Sequence, residues 1–379
     1  MPAQNYDIIT VGCGIAASAL AKAMAERGAR VLVLERETKF KDRVRGEGLV
    51  CWGGGEAREL GIYELLKKTC GHDVPFVESG MGLRDLTTTT PQRLPLLSFQ
   101  HPVMQETLLA AAEQAGAEVR RGVTVEQIET GRTPAVITDA GNHERIAARL
   151  VVAADGRGSV ARKWIGLAVQ EQSNPFYMAG VLLTDVKAPT DTIYFIFNPD
   201  LGMCAVLIPL GNCRFRAYFI YPKTVGYRLQ GDSMLRLFTS ESSKVYPPLA
   251  EYYAEAKSIG PLASFDASDS WVEHPYRDGV VLVGDAAATT DPTFGQGRAA
   301  RPNYVGPLPG ASSYGGLPPP EGSLNSGVAP PQQRSPETGV PPTPGSSANS
   351  GVAPPPQPPP RTIAPPTQGR PPENGEPLL

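Results

Sequence analysis

The sequence predicts an α/β protein in which a parallel sheet is interrupted by an antiparallel β domain and followed by a disordered tail. Residues 7–35 alternate between strand, helix and strand patterns, which is the opening unit of a doubly wound sheet. Residues 174–222 instead carry apolar side chains with a period of two, as antiparallel strands do. Residues 279–285 return to a continuous apolar run, so the chain leaves the first domain and comes back to it.

The opening unit consists of a strand, a tight turn, a helix and a second strand. DIITVG is apolar throughout, as a strand buried on both faces requires, and VLVLE is a second such strand. Between them, IAASALAKAMAERG places small and apolar residues at helical spacing, and Gly28 ends the helix.

The middle of the chain changes from helix to strands. Residues 103–118 (VMQETLLAAAEQAGAE) have a helical pattern, and VTVEQIET, AVITD and ARLVVAAD follow as strands. Three aromatic and β-branched runs, IYFIF, MCAVLIP and RFRAYFIYP, then indicate an antiparallel sheet. Their aromatic side chains alternate between faces, so we expect half of them to form a core and the other half to be available to a substrate.

The composition excludes several classes of protein. A formal net charge of -3 with no long basic run argues against a nucleic-acid partner. The five cysteines include no Cys-x-x-Cys pair, which suits a reduced, metal-free protein. The N-terminus lacks the pattern of a secretory leader, and no run reaches the ~18 apolar residues of a membrane span. We therefore expect a cytoplasmic protein without a membrane partner.

The turn between the first strand and the first helix predicts a dinucleotide site. Gly12 permits a tight turn, Gly14 lets a pyrophosphate approach the backbone, and Ala17 is small enough for the third glycine position of this motif. Glu35 ends the second strand, where a carboxylate can accept hydrogen bonds from the hydroxyls of an adenosine ribose.

Two further segments make the pattern more specific. Asp155 and Gly156 follow the buried strand in VVAADGRGSVAR, and Gly284 and Asp285 follow another in GVVLVGDAAATTDPTFGQG. With these three motifs, in this order and approximate spacing, residues 5 to about 297 resemble the class A flavoprotein monooxygenases, which share the p-hydroxybenzoate hydroxylase fold.

The resemblance implies FAD as the cofactor and NADPH or NADH as a co-substrate. Gly12, Gly14 and Ala17 are expected at the FAD pyrophosphate, and Glu35 at its adenosine ribose. The remaining cofactor positions that the resemblance implies are Arg36, Arg45 and Gln105 near the phosphates, Asp155 and Gly156 in the motif shared by FAD and the nicotinamide, Gly284 and Asp285 at the ribityl chain, and Pro292, Gly295 and Gly297 along the isoalloxazine edge. Asp155 could also be a plain turn residue, and Arg45 could be solvated. No catalytic residue is assigned.

The same resemblance divides the chain into domains. Residues 1–170 are expected to form the FAD-binding domain, with part of the substrate region near residues 75–100. Residues 171–265 are expected to form the substrate domain, residues 266–297 to return to the FAD-binding domain, and residues 298–379 to form the tail.

The reaction implied by the resemblance is FAD-dependent monooxygenation of an aromatic or polyketide-like small molecule with dioxygen. A flavin-dependent reductase or a halogenase-like enzyme of the same fold is the alternative. The Trp-x-Trp-x-Ile-Pro pattern expected of a halogenase is not found, because Trp52, Trp164 and Trp271 are isolated from one another. A non-catalytic proline-rich interaction protein is an alternative of another class.

The segment after Gly297 departs from the family. It holds 23 of the 39 prolines and has no Lys, Asp, Phe or Trp, so it cannot bury enough apolar surface to order its backbone. Pro302 disfavours the helix that would continue the motif. Either the tail is a natural interaction segment for SH3- or WW-like domains, or the reading frame changes after Gly297. In both cases we expect the chain as written to be a poor enzyme.

Overall fold

The computed structural model describes residues 6–44, 46–139 and 143–291. The predictions for Arg45, Pro292, Gly295, Gly297 and the tail lie outside the described residues. The helices of the described residues are α1 (Ile15–Ala25), α2 (Cys51–Glu59), α3 (Tyr63–Thr69), α4 (Leu86–Thr89), α5 (His101–Gln114), α6 (Ala161–Trp164), α7 (Leu235–Val245) and α8 (Leu249–Tyr252), with 3-10 turns at Lys223–Val225, Asp232–Met234 and Gly284–Ala286.

The strands are more numerous and fall into two large and two small sheets. In chain order they are β1 (Tyr6–Val11), β2 (Val31–Glu35), β3 (Gly48–Leu49), β4 (His72–Val74), β5 (Phe76–Glu78), β6 (Leu83–Asp85), β7 (Leu96–Ser98), β8 (Glu118–Arg121), β9 (Val125–Glu129), β10 (Ala135–Thr138), β11 (Arg145–Ala153), β12 (Gln170–Gln172), β13 (Phe176–Thr184), β14 (Thr192–Asn198), β15 (Met203–Pro209), β16 (Arg214–Pro222), β17 (Lys257–Ser258), β18 (Ala263–Asp266), β19 (Asp269–Trp271), β20 (Tyr276–Arg277), β21 (Val280–Leu282) and β22 (Ala288–Thr289).

The first large sheet has the order β20-β21-β11-β1-β2-β8. Strands β21, β11, β1, β2 and β8 run parallel, and β20 is an antiparallel edge strand. The predicted α/β class is therefore confirmed, and its opening β1-α1-β2 unit lies at the centre of the sheet. Because consecutive residues of the inner strands are buried on both faces, these strands are the continuous apolar runs seen in the sequence.

Different elements cover the two faces of this sheet. On one face, α1 packs against α5, and their side chains join Val31, Val33 and Val152 in one apolar cluster. On the other face, β9 and β10 contribute Ile128 and Val136 to a second cluster. The first face thus orients α1, whose N-terminus follows the glycine turn.

The second large sheet has the order β17-β13-β16-β15-β14-β5-β6, and β18 also pairs with β13. Strands β13 to β16 form the predicted antiparallel run, while β5 joins β14 in parallel. One face packs on α7 and α8 around Phe219 and Phe238, and the opposite face forms a separate apolar cluster with Val44 and Leu96. The sheet is therefore buried on both faces.

The small sheets are β3-β7-β4 and β12-β19-β22. All described residues belong to one compact unit of the chain. None of the helices in the described ranges is long and apolar enough to cross a membrane. The same residues contain no group of three or more His, Cys, Asp or Glu side chains that could hold a metal ion.

Candidate cofactor site

The predicted site residues follow four neighbouring parallel strands at one edge of the first sheet. In the order β21-β11-β1-β2, these strands lead into Gly284, Asp155, Gly12 and Glu35. Backbone hydrogen bonds extend past the strand ends, from Val283 N to Ala153 O, Ala154 N to Val11 O and Gly12 N to Leu34 O, at 3.0, 2.8 and 2.8 Å. The sheet therefore brings three motifs, far apart in the sequence, to a common carboxyl edge, where open α/β sheets bind ligands.

The two glycines of the first turn are required for different reasons. Gly12 has φ +89°, and a Cβ there would lie 2.6 Å from the carbonyl oxygen of Ala154. Gly14 has φ -60°, and no protein atom in the described part of the chain lies within 4 Å of an added Cβ. Protein packing thus explains Gly12, whereas the free space at Gly14 fits the close approach of a ligand.

The N-terminus of α1 is suited to an anion. No side chain among the described residues caps this helix, and its first turn contains no acidic residue. The first amides of a helix lack intrahelical partners and carry partial positive charge. Ala17 is fully buried, which explains why only a small side chain fits there. The turn and helix have the features of a pyrophosphate site.

Glu35 reaches back to the glycine turn. It is only 9% exposed, and its Oε2 accepts hydrogen bonds from Cys13 N at 3.0 Å and from Cys13 Sγ at 3.2 Å. Its Oε1 accepts from Glu37 N at 2.9 Å. Arg36 follows directly but points outward: its side chain is 64% exposed, and its Nε lies 3.8 Å from Glu37 Oε1. The structure therefore brings Glu35, but not the Arg36 guanidinium, to the turn.

The second motif forms a capped turn. Asp155 Oδ2 accepts from Val160 N at 2.7 Å and from Ala161 N at 3.1 Å, so this carboxylate caps the start of α6. Gly156 has φ +84°, a conformation that favours glycine. The other oxygen, Asp155 Oδ1, is buried and has no hydrogen-bond partner among the described residues. This carboxylate therefore combines a structural cap with a free acceptor.

Arg162 joins the second motif to the third. Its side chain is 6% exposed, and it donates from Nε to Ala286 O at 2.6 Å and from Nη2 to Asp285 O at 2.7 Å. Burial lowers the pKa of this guanidinium below its ordinary value. Sequence reasoning missed this residue, although it is the final letter of VVAADGRGSVAR.

The third motif lies against the start of α1. Gly284 has φ +60°, and a Cβ there would lie 3.2 Å from Ala16 Cβ. Asp285 is exposed in the 3-10 turn, so its carboxylate is available to hydroxyl groups of a ligand. Further along, Asp291 Oδ2 accepts from Asn174 Nδ2 at 2.7 Å, which connects this segment to the start of the antiparallel sheet.

Helix α5 is tied to β8, the strand that pairs with β2, by a salt bridge that the sequence did not reveal. Gln105 is half-buried on α5. The next residue, Glu106, accepts from Arg121 Nη1 and Nη2 at 2.8 and 3.0 Å. Arg121 pairs with Glu35 in the sheet register, and its guanidinium lies 4.6 Å from the ring centroid of Phe40. This contact ties the part of α5 that carries Gln105 to β8.

A buried charge network connects the segment after β2 with the antiparallel sheet. Arg216, on β16, is 2% exposed, and its Nη2 donates to Asp42 Oδ1 and Oδ2 at 2.8 and 2.7 Å. Its Nε forms an ion pair with Glu47 Oε1 at 3.1 Å, and Tyr218 Oη donates to Glu47 Oε2. Burial opposes the charge on Arg216, but Glu47 and Asp42 together hold the pKa of Arg216 above its ordinary value. The sequence pointed to Arg45 in this segment and missed these partners.

The aromatic side chains of the antiparallel sheet divide between its faces as expected. Tyr194, Phe215, Phe219 and Tyr221 belong to the core under α7 and α8. The opposite face contains Met178, Ile193, Cys204, Val206, Tyr218 and Ile220. Burial and the charge of Asp291 raise the pKa of Cys204 to about 12. This second cluster is packed by other side chains of the chain, including Val44 and Leu96, so it is a second core.

Comparison with known proteins agrees with this geometry. At the sequence level, the chain is 33% identical over 315 residues to rifampicin monooxygenase of Streptomyces venezuelae, covering 77% of this chain and 60% of the relative. The chain thus spans about 60% of the length of this relative. The structure of p-nitrophenol 4-monooxygenase from Pseudomonas putida superposes with a TM-score of 0.65 at 20% identity, covering 78% of this chain and 76% of that one. A variant of the flavin-dependent brominase Bmp2 gives a TM-score of 0.66 at 19% identity, with coverage of 78% and 76%.

These two structural similarities show the fold alone. The family is shown by a family-wide comparison, in which residues 5–299 match the FAD binding domain. This range contains the glycine turn, Glu35 and both later motifs, and FAD is accordingly the cofactor. The chain belongs to the FAD-binding domain family of flavoproteins.

Proposed function

We propose that this chain is the FAD-binding and substrate-binding part of a monooxygenase that acts on an aromatic or polyketide-like small molecule. The other substrates are dioxygen and NADPH or NADH. The observation that carries the proposal is the shared carboxyl edge of the parallel sheet, where the glycine turn, Asp155 and Asp285 follow neighbouring strands, and Asp291, further along, accepts a hydrogen bond from Asn174 at the start of the antiparallel sheet. The names of rifampicin monooxygenase and p-nitrophenol 4-monooxygenase support the substrate class.

In this proposal, different residues bind different parts of FAD. Gly12, Gly14, Ala17 and the amides of α1 bind the pyrophosphate, Glu35 binds the adenosine ribose, and Asp285 binds the ribityl chain. The proposal further includes Arg36, Arg45, Gln105, Gly156 and Gly284 around the phosphates and turns, and Pro292, Gly295 and Gly297 beside the isoalloxazine. When bound, FAD accepts a hydride from the nicotinamide and activates dioxygen.

The chain's own contribution is positioning. Arg162 fixes the Asp285 turn against the Asp155 turn, and Arg216 fixes the segment after β2 against the antiparallel sheet. Buried Met178, Val206 and Ile220 pack in one cluster with Val44 and Leu96, which adds to the positioning of the segment after β2. Such fixed geometry is how a protein accelerates chemistry that a cofactor supplies.

Isotopic labelling tests the reaction class. The FAD-loaded protein is incubated with NADPH or NADH, labelled dioxygen and either rifampicin or p-nitrophenol as a probe. One labelled oxygen atom is expected in the product; the other leaves as water, with the two electrons coming from the nicotinamide. Reduction of a probe alkene without oxygen incorporation would support a reductase instead.

The similarity to a brominase favours one second candidate, a halogenase-like enzyme. Adding bromide to the same reaction distinguishes a halogenase from a monooxygenase, because only a halogenase forms a carbon–bromine bond. The absence of the Trp-x-Trp-x-Ile-Pro pattern from the sequence makes monooxygenation the preferred reaction.

The proline-rich segment and the compartment are part of the proposal as well. The family match ends at residue 299, where the composition changes. We propose that residues 298–379 are either an interaction segment for SH3- or WW-like domains or the product of a changed reading frame, which the nucleotide sequence around codon 298 distinguishes. All five cysteines are unpaired, which supports a reducing compartment such as the cytoplasm.

A further inference from the structure

Cys13, the residue between the two glycines of the turn, contacts Glu35 through both its backbone and its side chain. The thiol is fully buried, and its Sγ lies 3.2 Å from Glu35 Oε2. The backbone N–H of Cys13 donates to the same oxygen at 3.0 Å. Two donors from one residue thus converge on one carboxylate oxygen.

The position of Cys13 is itself fixed. Its carbonyl oxygen accepts a hydrogen bond from Ser18 Oγ at 3.0 Å, and Ser18 is fully buried on α1. The preceding residue, Gly12, is bonded to β2 through Leu34 O at 2.8 Å. The backbone that carries the thiol is therefore held in place beside Glu35.

The protonation of the thiol agrees with a donor role. Burial, followed by the negative charge of Glu35, raises the pKa of Cys13 far above its ordinary value. The group remains S–H at neutral pH, and its proton can be shared with the carboxylate.

The contacts leave the second oxygen of Glu35 partly free. An ionised carboxylate has about four acceptor positions. Cys13 uses two of them on Oε2, and Glu37 N uses one on Oε1. One acceptor position remains on Oε1, and the thiol adds a second donor to the backbone N–H that keeps Oε2 turned toward Cys13.

We propose that Cys13 is a positioning residue for FAD, whose thiol orients the Glu35 carboxylate toward the adenosine ribose. The inference rests on the proposed role of Glu35. It assigns a function to a turn position that the glycine motif itself leaves unspecified.

The test is the affinity of the full chain for FAD, measured by flavin fluorescence, in a double-mutant cycle of Cys13→Ala and Glu35→Gln. Cys13→Ala is expected to raise the Kd for FAD about fivefold to tenfold, as the loss of a hydrogen bond to a charged group does. Cys13→Ser keeps a donor and is expected to stay within about twofold of the unmodified protein. Because Cys13 acts through Glu35, the double variant is expected to match Glu35→Gln alone.

Controls distinguish positioning from packing. Cys70→Ala removes a half-buried thiol elsewhere in the chain and is expected to leave the Kd unchanged, and the melting temperature of each FAD-free variant reports on folding. The inference would be overturned if the double variant raised the Kd by the product of the two single effects. It would also be overturned if Cys13→Ser lost as much affinity as Cys13→Ala, or if Cys13→Ala bound FAD more tightly. If Glu35→Gln binds FAD as tightly as the unmodified protein, the role of Glu35 is wrong and the inference falls with it. If Cys13→Ala leaves the Kd unchanged while Glu35→Gln raises it, the role of Glu35 stands and only the inference about Cys13 is wrong.

Discussion

Single side chains link the motifs of the cofactor site, and Arg162 is the clearest case. Its two hydrogen bonds, to Asp285 O and Ala286 O, satisfy carbonyl groups that lie 123 and 124 positions away in the sequence. Arg162→Ala is expected to lower the free energy of unfolding by ~2–4 kcal/mol, because buried carbonyl oxygens lose their donor. It should also weaken FAD binding about tenfold, since the Asp285 turn is no longer held. Urea unfolding and flavin fluorescence measure both, and Lys163→Ala, on the exposed side of α6, is the matched control. The assignment is wrong if the two variants behave alike.

The cysteines offer a second prediction at this scale. Cys213 is exposed, whereas Cys13, Cys51 and Cys204 are buried. Burial raises the pKa of Cys51 and of Cys204, so these thiols form little of the reactive thiolate. A thiol reagent at neutral pH is expected to modify one site rapidly in the native protein, and Cys213→Ser should abolish that phase. Rapid modification of several thiols would contradict the burial shown by the structure.

At the scale of elements, the contact between the segment after β2 and strand β16 depends on the buried ion pair of Glu47 with Arg216, whose side chains are 1% and 2% exposed. Breaking a buried ion pair is costly, while replacing both partners by apolar groups is often neutral. Glu47→Gln is therefore expected to lower the free energy of unfolding by ~3 kcal/mol. The double replacement Glu47→Leu with Arg216→Met is expected to recover part of this loss, because it removes both buried charges but leaves Tyr218 Oη and the quarter-exposed Asp42 carboxylate without these partners. Chemical denaturation provides the measurement.

The control for this network is a surface pair on the same segment. Arg43 Nη2 lies 3.0 Å from Glu37 Oε1, and the Arg43 side chain is largely exposed. Arg43→Met is expected to change stability by less than ~1 kcal/mol, as exposed pairs do. A loss in Arg43→Met as large as that in Glu47→Gln would show that burial is not what makes the network important.

Elements were easier to predict from the sequence than contacts. The β1-α1-β2 unit, the antiparallel strands and the returning strand follow from the period of apolar residues, which is a local property. Gly12 could be placed because its turn needs a residue without a side chain. Arg162, Arg121 and Arg216 could not, because their partners come from other parts of the chain and nothing in the local pattern marks a buried arginine. Asp155 was left open between turn and ligand residue, and the structure shows a cap with one free oxygen.

At the scale of the whole molecule, we expect the segment after Gly297 to limit how well the site works. The resemblance to flavoprotein monooxygenases implies a helix that supports the flavin after Gly297, and Pro302 disfavours such a helix. The loss of one charge-stabilising element costs roughly a hundredfold in rate. The chain is therefore expected to hold less than one FAD per protein and to turn over about a hundredfold more slowly than a chimera with the helical C-terminus of a related hydroxylase. Equal FAD content and equal rates in the two proteins would refute this.

The order of strands in the parallel sheet has a consequence for how the protein is made. Strand β11 pairs with β1 and β21, and the register that joins Val151 to Val280 spans 129 positions of the chain. At a synthesis rate of roughly 5–20 residues per second, β21 is synthesised on the order of 10 s after β11, and the edge of β11 that pairs with β21 is unpaired during this time. Contacts this distant in the sequence slow folding, and an unpaired apolar strand can pair with a neighbouring nascent chain. The antiparallel sheet is made during this interval, so its rapid folding would protect the unfinished cofactor domain from aggregation.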